Sequence, residues 1–210
     1  GWKVNDYLSV GAGPELRVSD VKLQSNVPLF NPFTNRIVTA AHADIVGDGF
    51  AADVTFGAGI KINPTPALSI GVSYHGAVTS DYTGAATFYS KPTGNAQLDG
   101  LVASKIPLDK PVPVNTSIDY PAMTQVGIAY DFAKKVTVSV AGTYTQWDVF
   151  KQITLAYDTV DGKTVPATTI DFNYENAWAV RAGLEWKASE KLDLTLGWVY
   201  DQTPQPDASV

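Results

Sequence analysis

Between Ala67 and Thr79 the chain reads ALSIGVSYHGAVT, thirteen residues without one Asp, Glu, Lys or Arg. Even positions carry Leu68, Ile70, Val72, Tyr74, Gly76 and Val78; odd positions carry Ala67, Ser69, Gly71, Ser73, His75, Ala77 and Thr79. A period of two places these sets on opposite faces of one strand. The water-facing side of a soluble sheet normally shows charged residues at alternate positions. Here one face is large and apolar and the other small and weakly polar. The pattern suits a strand whose apolar face meets lipid and whose small face lines a lumen.

The same pattern recurs along the chain. Trp2 to Val4 read as the tail of a strand and Asn5-Asp6 as a tight turn, after which Leu8, Val10, Ala12, Leu16 and Val18 share one face. Phe50 to Ile62, Ala122 to Phe132, Val136 to Trp147, Ala177 to Lys187 and Leu192 to Asp201 alternate in the same way, and the founding strand is expected to run on through Tyr82 to Tyr89. Connections switch between tight turns (5–6, 63–66, 133–135, 189–191) and long loops (24–49, 90–120, 158–173). Outer-membrane barrels separate periplasmic turns from extracellular loops by this rule. A strand of about ten residues spans ~33 Å, and a tilt of roughly 45° reduces its rise to ~23 Å, close to the apolar band of such barrels. Phe132, Trp178, Trp186, Trp198 and Tyr200 fall near strand ends, where interfacial girdles need aromatics.

The expected fold is therefore all-β, an antiparallel transmembrane β-barrel of the outer-membrane type with long extracellular loops that carry short helices. A soluble sandwich or lipocalin-like barrel also alternates, but it does not need both faces bare of charge on successive strands. No apolar run of about 18 residues is present for a helical span. With 15 Lys and Arg against 21 Asp and Glu, the net charge of −6 and the lack of a basic patch argue against a nucleic-acid partner. The absence of cysteine removes disulfides and thiolate metal sites, and no cofactor is expected.

Several stretches resemble the FadL/TodX family of outer-membrane transporters for long-chain fatty acids and aromatic hydrocarbons. They are WKVNDYLSVGAG (2–13), GVSYHGAVTSDYTGAATF (71–88), AKKVTVSVAGTYTQWDVF (133–150), ENAWAVRAGLEW (175–186) and LDLTLGWVYDQTPQPD (192–207). The resemblance implies an internal fragment, residues 1–210 supplying about seven or eight of an expected fourteen or so strands, without the N-terminal hatch or the closing strands. It implies passive uptake of hydrophobic molecules: capture between extracellular loops, transfer to the lumen, and exit through the barrel wall. The expected setting is the bacterial outer membrane, with lipid and lipopolysaccharide as neighbours and a monomeric channel. A general porin or a structural or adhesin barrel is the alternative. An open sheet also exposes two unpaired edges, which lipid does not tolerate, so the piece alone is not expected to insert stably.

In the first long loop Ile37, Ala41 and Ile45 recur at four-residue spacing, which predicts a short amphipathic helix, with Leu29, Phe30 and Phe33 just upstream. In the second, Leu98, Leu101, Val102 and Ile106 repeat at helical intervals. Two such helices over a barrel mouth form a capture groove, or else pack on each other as a cap. Lumen candidates for substrate contact are Arg181, Glu185, Gln125, His75 and Asp53, with Asp131 on the same face of its strand. Arg181 either receives a substrate carboxylate through a bidentate pair or pairs with a lumen acid such as Glu185. His75 has no second ligand at a metal-binding spacing and is expected to be hydrogen-bonded, while His42 is expected to be solvated. No G-x-S-x-G or other nucleophile context accompanies either histidine, so no catalytic residue is assigned.

Overall fold

The computed structural model describes residues 1–32 and 34–206. In chain order the strands are β1 (Trp2–Lys3), β2 (Leu8–Ser19), β3 (Lys22–Asn31), β4 (Arg36–Gly47), β5 (Ala51–Thr65), β6 (Leu68–His75) and β7 (Val78–Ser90). The helix α1 (Ala96–Lys105) follows, then β8 (Pro111–Tyr120), β9 (Met123–Phe132), β10 (Val136–Thr145), β11 (Gln152–Tyr157), β12 (Thr168–Asp171), β13 (Ala177–Ser189) and β14 (Leu192–Asp201). They form two antiparallel sheets. One has the order β1-β2-β5-β6-β9-β10-β13-β14 and the other β12-β11-β8-β7-β4-β3.

The first sheet is the curled barrel wall. Its strands meet at the four expected tight turns, and at one of them Ala133 and Lys134 both adopt φ near +55° (53° and 59°). Consecutive left-handed residues make a turn whose twist matches that of the flanking strands. Cross-strand register aligns the large residues on one face: Leu8, Ile62, Ile70, Ile128, Val140, Ala182 and Trp198 lie along a single row. The opposite face carries the small residues. Among the described residues no helix is long and apolar enough to cross a membrane, which says nothing about strands.

The second sheet replaces what the sequence reads as loops. Among the described residues, 24–49 hold no helix: β3 and β4 pair as a hairpin, and Ile37, Ala41 and Ile45 lie on β4. A spacing of four satisfies a period of two as well as one of 3.6, so the pattern alone does not separate strand from helix. Pro28 has no N–H to offer the ladder, and the register slips there, with Val27 facing Ala41 but Pro28 facing Thr39. Ala40 is the extra residue of this bulge, so Ile37 points away from the face that buries Ala41 and Ile45. The helix in the second loop is present over Ala96–Lys105, but Ile106 lies just beyond it and β8 follows. Residues 158–173 contain β12, paired with β11.

The founding stretch is also two strands rather than one. It runs in the wall to His75, breaks at Gly76-Ala77, and resumes at Val78 in the second sheet. That sheet holds the hydrophobic core, including Ile45, Phe88, Val112, Ile118, Ile153 and Leu155. The helix turns Leu98 and Val102 inward, and Asn95 caps it by accepting from the Gln97 and Leu98 amides.

Thr93 donates to the Asp99 carboxylate through its hydroxyl (2.7 Å) and its backbone N–H (2.9 Å), holding the Asp99 carboxyl below the ordinary value of 3.8. A lowered folded-state pKa contributes stability above the ordinary value, which is lost as pH falls through the folded one. The protection of amides at Thr93 and in the first turn of α1, relative to their intrinsic exchange, is expected to fall below about pH 4, and Asp99→Asn should remove that pH dependence.

Candidate functional site

The small-residue face of the wall forms an open trough of about 710 Å³. Its floor is set by register: Ser9, Lys61, Gly71, Gly127, Ala141, Arg181 and Val199 align across seven strands. The next row runs Gly11, Gly59, Ser73, Gln125, Thr143, Ala179 and Asp201. With glycine at Gly11, Gly59, Gly71 and Gly127 the floor there is bare backbone, so the space belongs to whatever enters it. Lys61 and Arg181 line the trough, and no Asp or Glu does among the described residues.

Arg181 donates through Nη1 to Thr143 Oγ1 at 2.9 Å, and Thr143 is only 7% exposed. It makes no ion pair with Glu185, which sits farther down β13 between Thr137 and Thr195, outside the trough. The guanidinium has five N–H donors in a planar fork, so one bond to a hydroxyl orients it and leaves donors to spare. Gln125 lines the trough as expected. Lys61 does so as well. Alternation puts it on the same face as Asp53, but its alignment with Arg181 emerges only from the register of four intervening ladders. At the turn end Asp131 Oδ1 is buried without a hydrogen-bond partner among the described residues.

His75 and Asp53 lie higher, where the two sheets meet. The Glu15 carboxylate accepts from His75 Nδ1 at 2.8 Å. It lies where a side chain on Gly57 would begin, since a Cβ there would fall 2.0 Å from Glu15 Oε1. His75 is thus a hydrogen-bonded residue, and no group of three or more metal-binding side chains occurs among the described residues. Ser80 donates to Asp53, and Arg17, facing Asp53 in register, stacks 3.3 Å above the centre of the Tyr120 ring. Tyr82 bridges Ser19 (2.6 Å) and Tyr120 (2.9 Å) by their hydroxyls. Burial, with Tyr82 beside it, pushes the Tyr120 phenol up from its ordinary value. These groups bind the second sheet to the rim of the wall.

The expected two-helix groove is not formed. Phe30 faces Ile37 across the tip of the β3–β4 hairpin, both largely exposed, and Leu29 faces Val38, both half-buried. Leu98 is buried beneath α1, Leu101 is exposed, and Ile106 packs on the core of the second sheet. Phe33 lies outside the described residues. His42 lies on β4 rather than in a loop and keeps part of its ring in solvent, while its ring nitrogens reach Asn26 Oδ1 (3.3 Å) and Asp44 Oδ1 (3.2 Å). An aromatic cluster of Trp147, Phe150, Phe172 and Tyr174 stands at the loop end of β10, with ring centres 5.0–6.2 Å apart. These residues are far enough apart in sequence that no periodicity reveals the cluster.

Comparison with known proteins adds the following. The family model for "Outer membrane protein transport protein (OMPP1/FadL/TodX)" matches residues 1–210. No curated protein matches. Among solved structures, a FadL homologue from Pseudomonas aeruginosa superposes with a TM-score of 0.74 at 22% identity, covering 98% of this chain and 48% of that one. The toluene transporter TbuX of Ralstonia pickettii gives 0.70 at 21%, over 95% and 52%. The toluene transporter TodX of Pseudomonas putida gives 0.67 at 15%, over 98% and 54%. The chain thus spans about half the length of these proteins, and at such identities the likeness is one of fold.

Proposed function

Because the chain belongs to the OMPP1/FadL/TodX family of outer-membrane transport proteins, we propose that it forms part of the wall and mouth of a passive, monomeric channel for hydrophobic small molecules, either long-chain fatty acids or aromatic hydrocarbons. Such a molecule enters from the side of the second sheet, which stands among lipopolysaccharide, and crosses the lumen trough. The observation that carries this reading is the trough itself: a floor of backbone, Ser and Ala bordered by two cations and, among the described residues, by no carboxylate. A broad aqueous pore relies on rings of charge instead. Exit through the wall is supported by the break at Gly76-Ala77. β5 pairs with β6 only from Gly57 onward, and above that point its ladder partner is β2 alone. The corner is held by the Gly76 amide donating to Phe56 O (2.9 Å) and Thr55 Oγ1 donating to Ala77 O (3.2 Å).

Arg181 is the proposed receptor for a substrate carboxylate, and Thr143 sets the direction of its fork. A charge-assisted hydrogen bond is worth about 1.5–3 kcal/mol, which corresponds to roughly a tenfold or greater change in affinity. In a transporter-deficient Gram-negative strain carrying the full-length protein, Arg181→Ala is therefore expected to cut uptake of radiolabelled oleate about tenfold and to leave toluene uptake unchanged. Undiminished oleate uptake returns Arg181 to a structural role. Uptake of neither compound by the wild type, or large steady currents in planar bilayers, overturns the channel reading.

A further inference from the structure

We propose that a second small-molecule site adjoins the trough, a pocket of about 310 Å³ between Trp147 and Asp201 that takes a single aromatic ring carrying a hydroxyl group. The volume is at the lower end of ligand pockets and suits one ring rather than a chain or a fused system. Ala177 and Ala179 form its back with little side-chain bulk, and Pro204 closes one side. Trp147 supplies an indole wall, held nearly perpendicular to Phe150 and Tyr174 (interplanar angles 86° and 85°). A ring so fixed offers a stacking surface that needs no reordering when a ligand arrives.

The polar groups at the other end select what the ring must carry. Gln202 is clamped to Trp178: its amide N–H donates to Trp178 O (2.9 Å), and its Oε1 accepts from the Trp178 amide (3.3 Å). The clamp uses the side-chain oxygen and leaves Nε2 as a donor. Thr145 adds a hydroxyl. Asp201 lines the same pocket, and its carboxylate has neither a hydrogen bond nor an ion pair among the described residues. A carboxylate is an acceptor only, so it calls for an O–H. A phenol supplies one: its O–H donates a hydrogen bond to the Asp201 carboxylate, and its oxygen accepts from Gln202 Nε2 or the Thr145 hydroxyl. A benzoate meets like charge at Asp201 and is rejected, while a hydrocarbon leaves the polar end unused.

The proposal rests on the uptake reading only for what carries such molecules to the mouth, and binding is measured apart from transport. Full-length protein in detergent is titrated by calorimetry with 4-methylphenol, toluene and benzoate. 4-Methylphenol is expected to bind about tenfold more tightly than toluene, the scale of one hydrogen bond to a charged acceptor, and benzoate not at all. Asp201→Asn keeps the shape of β14 and is expected to bring the two neutral ligands within about twofold. Trp147→Ala should weaken both about tenfold through lost ring contact. Equal wild-type affinities, or a preference for 4-methylphenol that survives Asp201→Asn, overturn the site. Binding as expected in a protein that moves neither oleate nor any aromatic compound in cells keeps the pocket and sinks the uptake reading; transport without the phenol preference does the reverse.

Discussion

Ile128→Arg is expected to destabilise the barrel by about 2–4 kcal/mol in a lipid bilayer, the cost of a cation on the lipid face near the midplane. Ile128 lies in the middle of the wall, between Ile70 and Val140 in register, and is 47% exposed on the large-residue face. A guanidinium there must either stay in hydrocarbon or bend its stem toward a headgroup at the cost of packing. The control is Ser139→Arg, one residue from Val140 on the trough face, where the charge points into the lumen. Denaturant titration of the full-length protein in vesicles is expected to shift its midpoint for Ile128→Arg and hardly at all for Ser139→Arg. Equal small shifts would remove lipid from the large-residue face.

Gly84→Val is expected to open the ladder between β4 and β7. Gly84 faces Gly47, and a Cβ on it would lie 2.3 Å from the Val46 carbonyl oxygen and 2.9 Å from Gly47 Cα. Both are backbone atoms of a paired strand, so neither can rotate away as a side chain would. Overpacking of this kind costs about 1–3 kcal/mol for small additions, and valine adds more than the one carbon. The β3–β4 hairpin is joined to the rest of the second sheet by this ladder, so its amides from Ala43 to Gly47 should lose protection while β9 and β10 keep theirs. Gly142→Ala, where a new Cβ meets nothing within 4 Å, is the neutral comparison. Unchanged exchange in Gly84→Val would contradict the close approach of the two strands.

Much of the wall was legible because its rule is local. Alternation marked Leu192–Asp201 to the residue and Met123–Phe132 within one, and the tight turns fell where expected. The second sheet was misread where local rules are ambiguous. Ile37, Ala41 and Ile45 fit a helix by spacing, and only the pairing of β4 with β3 on one side and β7 on the other excludes it. Nothing between Ala67 and Thr79 announces that Gly76-Ala77 turns the chain out of one sheet into another. Arg181 was legible as a lumen residue, but its partner was not: Glu185 is four residues away in sequence, whereas Thr143 reaches it from the next strand.

By itself the sequence determined which residues of each wall strand share the large apolar face and which share the small one, because a period of two is a property of each strand alone. The tertiary structure decided what the lumen face does. Register carried across the five adjacent strands β5, β6, β9, β10 and β13 aligns Lys61 with Arg181 over Gly71, Gly127 and Ala141 and, among the described residues, leaves carboxylates out of the trough. It also brings Asp201 opposite Ala179, in the pocket that Trp147 lines. Register is a sum of pairings between segments far apart in the chain, so no window of sequence contains it.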